Sequence, residues 1–303
     1  MEFLKLLAGL RTPFWDAVMS AVTHFGEEAL FMVIALTVFW CVDKKRGYYL
    51  LFTGFIGTLC NQILKMVFRI PRPWVLDPDF QIVESARAQA TGYSFPSGHT
   101  QTAVTLYGGL ARTAKHKVTV VAGILLALLV AFSRMYLGVH TPLDVGVSFA
   151  VGTVLVFALY PLFERAYRSE SGMYWIILAV LLLSLGNVIF LSAYPFPADV
   201  DSENLTDALE VAWKMLGLAA AMCVLYPVDR HWLKFEVTAV WWAQILKVVV
   251  GFAIVMAVRL LLKAPLNALL GNEVGGALRY FLMVLVAGIL IPAFFRFLPR
   301  EKI

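Results

Sequence analysis

Long stretches of this chain are apolar almost throughout, and short polar clusters separate them. A helix needs about 20 mainly apolar residues to cross the hydrocarbon of a bilayer. By that measure the pattern predicts about nine spans, near residues 28–42, 48–68, 99–113, 118–137, 142–163, 173–194, 208–226, 237–262 and 275–297. The first and third are short, and the third needs an amphipathic wall facing other helices. Ahead of them Phe3, Leu6, Leu7 and Leu10 recur at helical spacing, followed by Thr12-Pro13, a helix-start pair. That segment is too interrupted to span, and no small-residue cleavage site follows a long apolar core, so an interfacial helix fits better than a signal peptide. The expected fold class is all-α, a polytopic membrane helix bundle. Its expected parts are an interfacial segment over 1–27, a catalytic core over 28–168 and further transmembrane helices over 169–303, divided at the polar stretch 164–172.

Composition agrees with a lipid environment. Of 303 residues, 60% are hydrophobic and only 15% charged, whereas soluble domains are about half apolar and about a quarter charged. The net charge of +5 comes without any long Lys/Arg run, which argues against a nucleic-acid partner. Three widely spaced cysteines, Cys41, Cys60 and Cys223, suit neither a disulfide framework nor a zinc site and read as small buried hydrophobes.

Basic residues give the expected orientation. Lys44, Lys45 and Arg46, then Arg112, Lys115 and Lys117, then Arg165 and Arg168, then Arg230 and Lys234, and finally Arg296, Arg300 and Lys302 fall in alternate loops. The intervening loop with Lys65, Arg69, Arg72 and Arg87 breaks the charge rule, as expected where cations bind an anionic substrate. If all five clusters are cytoplasmic, the acidic loop 199–207 lies outside. So do the loops between spans two and three and between spans four and five.

Those two loops hold the chemistry. Lys65, Arg69 and Arg72 are spaced to share one helix face, with Pro71 and Pro73 ending the helix. Cations so placed repel one another unless an anion lies between them, although interface snorkelling explains the segment taken alone. Phe95-Pro96-Ser97-Gly98-His99 follows. Ser97 is a natural N-cap, Gly98 permits close backbone approach, and the first N–H groups of a helix make an anion cradle. Ser133-Arg134 and His140-Thr141-Pro142-Leu143-Asp144 form the third group. Thr141 and Pro142 mark a helix start, and Asp144 falls where a capping box would place its acidic member. From there its carboxylate can also reach back to His140, fixing the tautomer.

Together these groups read Lys-x6-Arg-Pro, Pro-Ser-Gly-His and Ser-Arg-x5-His-x3-Asp, in that order and at one membrane face. The series resembles the motif set of the type 2 phosphatidic acid phosphatase superfamily over about residues 48–163. The resemblance implies His140 as nucleophile, Asp144 as its orienting carboxylate and His99 as general acid, then base. It implies Lys65, Arg72, Ser97, Gly98 and Arg134 as phosphate ligands; Arg69 lies outside the family pattern. It implies hydrolysis of a lipid phosphate or pyrophosphate, with polyprenyl pyrophosphate, phosphatidic acid, phosphatidylglycerol phosphate and sphingoid phosphates as candidates. No cofactor is expected, since no second Asp/Glu cluster suits Mg²⁺. The expected setting is a bacterial plasma membrane with the site facing outside.

A nine-span layout is similar to the glucose-6-phosphatase and sphingosine-phosphate phosphatase families. The helices after Gly172 carry none of the motifs and would shape a lipid groove, form a homodimer interface or complete the fold. Lipid phosphotransfer from the same phosphohistidine, or lipid binding and transport by a silent site, are the alternatives. A vanadate-dependent haloperoxidase uses a similar constellation in a soluble protein. His24, His116 and His231 read as interface histidines, Lys247 and Arg259 as snorkelling cations, Asn61 as a neighbour of Lys65, and Trp241 and Trp242 as an aromatic belt.

Overall fold

The computed structural model describes residues 1–300; Lys302, expected among the cytoplasmic cations, lies outside them. Helices make up the regular structure of the described residues, in the order α1 (Glu2–Ala8), α2 (Pro13–Thr23), α3 (Glu28–Thr37), α4 (Lys44–Phe68), α5 (Pro73–Leu76), α6 (Gly98–Ala103), α7 (Gly109–Thr113), α8 (Lys117–Tyr136), α9 (Pro142–Arg168), α10 (Gly172–Ala193), α11 (Ser202–Val228), α12 (Trp241–Leu261), α13 (Lys263–Leu285) and α14 (Ile291–Phe294). A π-helical turn over Val104–Gly108 joins α6 to α7.

Among the described residues, seven helical segments are long and apolar enough to cross a membrane, from Lys44–Leu76 to Lys263–Phe297. An eighth results if Pro13–Gly26 and Glu28–Val42 count as one broken span. The count thus differs from nine at two places. The segment at 28–42 qualifies only together with α2, and the helix from Gly98 to Thr113 is shorter than the seven. The last segment is itself broken at Gly271, whose φ of 79° no helix tolerates.

The local start signals act as the sequence suggests. Thr12 caps α2, accepting a hydrogen bond from Trp15 N, with Pro13 at the first position. Asp201 caps α11 through Asn204 N at 2.9 Å. Each cap satisfies a backbone donor that the helix leaves open.

The chain divides into two compact units, one of Met1–Met32 and Tyr49–Leu162, the other of Val33–Tyr48 and Phe163–Ile303. The first unit contains every residue of the three motif groups. Within it the N-terminal segment is more than a surface helix. Leu4 is fully buried with Met19 in a cluster with Phe80, Ile82, Leu137 and Val139, while Phe3, Leu6, Leu10 and Phe14 on its other side are exposed. Arg11 strengthens the junction, donating to Tyr136 O (3.0 Å) and Gln81 O (2.6 Å). Lys5 pairs with Asp77 (2.7 Å). The segment thus clamps the two loops whose residues form the motifs.

In the second unit Lys247 does not snorkel. It is buried in α12, donating to Val237 O (2.8 Å), with its ammonium 4.6 Å from the Phe295 ring centroid. Trp241 and Trp242 are exposed, as an aromatic belt requires.

Helices in lipid associate through close backbone approach at small residues. Gly123 of α8 is such a point, since a Cβ there would stand 2.7 Å from the Tyr107 carbonyl oxygen. A backbone oxygen cannot swing aside as a side chain can. Gly123→Val is therefore expected to cost about 1–3 kcal/mol by overpacking, read as a lowered unfolding temperature of the detergent-solubilised protein.

Candidate active site

The first motif group departs from its expected geometry. Helix α4 ends at Phe68, and Arg69 adopts a positive φ of 51°. Lys65, Arg69 and Arg72 consequently do not share a helix face. Arg69 folds back to donate to Met66 O at 2.8 Å. Arg72 arrives on extended backbone just ahead of Pro73, the first residue of α5. The break separates Arg69 from the cluster and delivers Arg72 into it.

Arg72 is the hub. Its Nη1 donates to His140 Nε2 (3.0 Å) and to Val139 O (3.0 Å). Its Nε donates to Gly92 O (2.9 Å) and its Nη2 to Thr91 O (2.6 Å). Lys65 is buried beside it and donates to Tyr93 O. Three consecutive backbone carbonyls, 91–93, therefore occupy donors of both cations.

The second group forms the expected cap. Ser97 Oγ accepts from Thr100 N (3.4 Å) and Thr100 Oγ1 (3.0 Å), and Ser97 N donates to Asp144 O (3.1 Å). That last bond ties the start of α6 to the start of α9. A Cβ on Gly98 would find only Asn61 Oδ1, at 3.8 Å, within 4 Å, so the glycine leaves room beside the cap. Asn61 donates to Pro96 O (3.4 Å). His99 is largely buried, and its Nε2 has no hydrogen-bond partner.

The third group closes the site. Thr141 N donates to Asp144 Oδ2 (2.7 Å) and Asp144 N to Thr141 Oγ1 (3.3 Å), a reciprocal capping box. The bend before it requires a positive φ of 81° at Gly138, where a side chain would strike Arg11 and the Phe80 ring. Arg134, fully buried, donates to Thr23 Oγ1 (2.6 Å), while its Nε and Nη2 stay unpaired. Asp144 approaches His140 Nδ1 to 3.6 Å, too far for a hydrogen bond.

Ser94 fills that gap, and the sequence motifs did not single it out. It is fully buried, donates to Asp144 Oδ2 (2.6 Å) and lies 3.4 Å from His140 Nδ1. Its only sequence signal is proximity to Ser97, three residues on, in a segment without periodicity.

The tautomer of His140 follows from its neighbours. A guanidinium is donor-only, so the Nε2 it faces must be the unprotonated acceptor and Nδ1 carries the proton. Burial first, then the nearby positive charges of Arg72, Arg134 and Lys65, hold the imidazole pKa well below its ordinary value. The ring is neutral at physiological pH, with the Nε2 lone pair directed into a cationic pocket.

Three buried cations near one buried carboxylate, with unpaired buried donors, make a surrounding that favours an anion. These features define a polytopic membrane protein with a buried cationic cluster around a histidine. A profile of the PAP2 superfamily matches residues 46–168, and one for the transmembrane extension of PAP2 superfamily phosphatases matches residues 213–302. Phosphatidylglycerophosphatase B of Bacillus subtilis (strain 168) is 30% identical over 175 residues, covering 52% of this chain and 80% of that protein. Sphingosine-1-phosphate phosphatase 1 of Rattus norvegicus is 24% identical over 263 residues, covering 80% of this chain and 58% of that protein. The crystal structure of a transmembrane PAP2-type phosphatidylglycerolphosphate phosphatase from Bacillus subtilis is similar at 28% identity, over 56% of this chain and 86% of that one, with a TM-score of 0.45. The chain belongs to the PAP2 superfamily of membrane lipid phosphatases.

Inorganic phosphate should raise the unfolding temperature of the purified protein, because a ligand bound only by the folded state stabilises it. Arg72→Ala is expected to abolish that shift. An equal shift in both proteins would mean that phosphate binds elsewhere.

Proposed function

We propose that this protein hydrolyses a lipid phosphate or pyrophosphate at the non-cytoplasmic membrane face through a phosphohistidine on His140. The observation that carries the reading is the buried His140 ring, its Nε2 held 3.0 Å from Arg72 Nη1. Phosphoryl transfer needs positioning and charge neutralisation above all, and buried cations with a helix cap provide both.

In the first step the Nε2 lone pair attacks phosphorus. The bond from phosphorus to the leaving oxygen breaks, and His99, protonated once the bound phosphate offsets the surrounding cations, gives that oxygen its proton. In the second step His99 takes a proton from water, whose oxygen attacks phosphorus as the P–Nε2 bond breaks. Lys65, Arg72 and Arg134 hold the phosphoryl oxygens, with Ser97 and the Gly98 N–H at the helix start. Asp144 neutralises the imidazolium that exists between the steps. No step calls for a metal.

Phosphatidylglycerol phosphate and sphingoid phosphates are substrate candidates for which the two relatives above are named, while other similar proteins are undecaprenyl-diphosphatases. Polyprenyl pyrophosphate and phosphatidic acid complete the panel. Phosphate release from each purified lipid, in detergent with EDTA, tests the reading; a folded protein that releases none from any of them would end it. His140→Ala should abolish release, and Asp144→Asn should reduce it by about 10²–10³, as losing one well-placed charge-stabilising group does.

The outward orientation rests on the basic clusters Lys44–Arg46, Arg112–Lys117 and Arg165–Arg168, which follow the positive-inside rule. Glu84 is exposed in the loop between α5 and α6. A membrane-impermeant maleimide should label Glu84→Cys, in a cysteine-free background, on intact cells. Labelling only after permeabilisation would reverse the orientation.

A further inference from the structure

Asp144 makes no direct hydrogen bond to His140 in the geometry described. Its Oδ2 is fixed by Thr141 N as part of the α9 cap, at 2.7 Å, and stands 3.6 Å from Nδ1. Moving that oxygen toward the ring would stretch the cap. Yet the Nδ1 proton, required by the donor-only Arg72 on the opposite nitrogen, needs an acceptor in a buried site. The nearest oxygen is Ser94 Oγ at 3.4 Å, and this hydroxyl already donates its own hydrogen to Asp144 Oδ2 at 2.6 Å. With that hydrogen committed, a lone pair of Oγ is left for the imidazole. Ser94, His140 and Asp144 are all buried, so no bulk water competes for these bonds.

We infer that Ser94 is a positioning residue for the phosphoryl-transfer reaction: its hydroxyl links His140 Nδ1–H to the Asp144 carboxylate and holds the ring with Nε2 facing the phosphate. The inference rests on the phosphohistidine reading above. Its importance grows on phosphorylation. The ring then becomes a cation with its only proton on Nδ1, and the Ser94 hydroxyl carries the stabilising influence of the carboxylate to that proton. A bond of this kind behind a functional imidazole is typically worth about 10–100-fold in activity.

The test is Ser94→Ala in the intact protein, with Ser94→Cys as a second variant that keeps the side-chain volume. Because Ser94 touches no proposed phosphate ligand, each variant should lose about 10–100-fold in kcat while KM and the thermal shift produced by inorganic phosphate stay near wild type. In a double-mutant cycle with Asp144→Asn the losses should be strongly non-additive, since both changes break one chain of hydrogen bonds. Wild-type kcat in both variants would overturn the inference, as would additive losses or a defect confined to KM and phosphate protection. Acid-labile phosphate trapped on His140 in the wild-type protein separates the two levels. If it does not form, the phosphohistidine reading fails; if it forms and the variants turn over normally, only the role of Ser94 fails.

Discussion

Burying a lysine and two arginines around a single carboxylate leaves positive charge in a place that water cannot reach. Removing ions from water costs several kcal/mol each, and the rest of the first compact unit is arranged to bear that cost. The Arg72 guanidinium is met by three backbone carbonyls and one imidazole nitrogen, and Lys65 by a further carbonyl. Arg134 keeps two unpaired donors. Burial and the same excess of charge favour the neutral form of His140, so one electrostatic imbalance bears both on the pull toward an anion and on the protonation of this ring.

Holding that imbalance in place requires rigid surroundings. The α9 capping box fixes Asp144, the Ser97 N to Asp144 O bond joins two helix starts, and Arg11 clamps the loop that leads to His140. Each of these contacts joins segments far apart in the chain or reverses its direction beside the site. The N-terminal helices belong to this scaffold because Thr23 is the partner of Arg134 and Leu4 is buried under the 80–90 loop. Mutations in this remote segment would therefore be felt at the cluster of buried cations.

Much of this was legible in the sequence where chemistry is local. A capping box follows from Thr141, Pro142 and Asp144 alone, and an N-cap from Ser97 before Gly98, since both depend on residues three apart. Hydropathy defined the long spans for the same reason. What depends on distant contacts was not legible. Helical spacing put Lys65, Arg69 and Arg72 on one face, but the positive φ at Arg69 ends the helix first. Ser94 has no periodic neighbours, and its role arises only when the loop meets α9. The helix from Gly98 to Thr113 is apolar but shorter than the seven long segments, and hydropathy alone gives no firm bounds to a helix that short. Lys247 reads as a snorkelling cation until Val237 O and the Phe295 ring are seen to surround it.

The carbonyls of Thr91, Gly92 and Tyr93 have a thermodynamic consequence of their own. They already accept from Lys65 and Arg72, so in the proposed reaction an arriving anion exchanges one set of acceptors for another. Net affinity is then a small difference between two large terms. Such a pocket discriminates by fit more than by raw charge, and it releases a small, poorly anchored anion readily while retaining one whose remaining bulk adds contacts elsewhere.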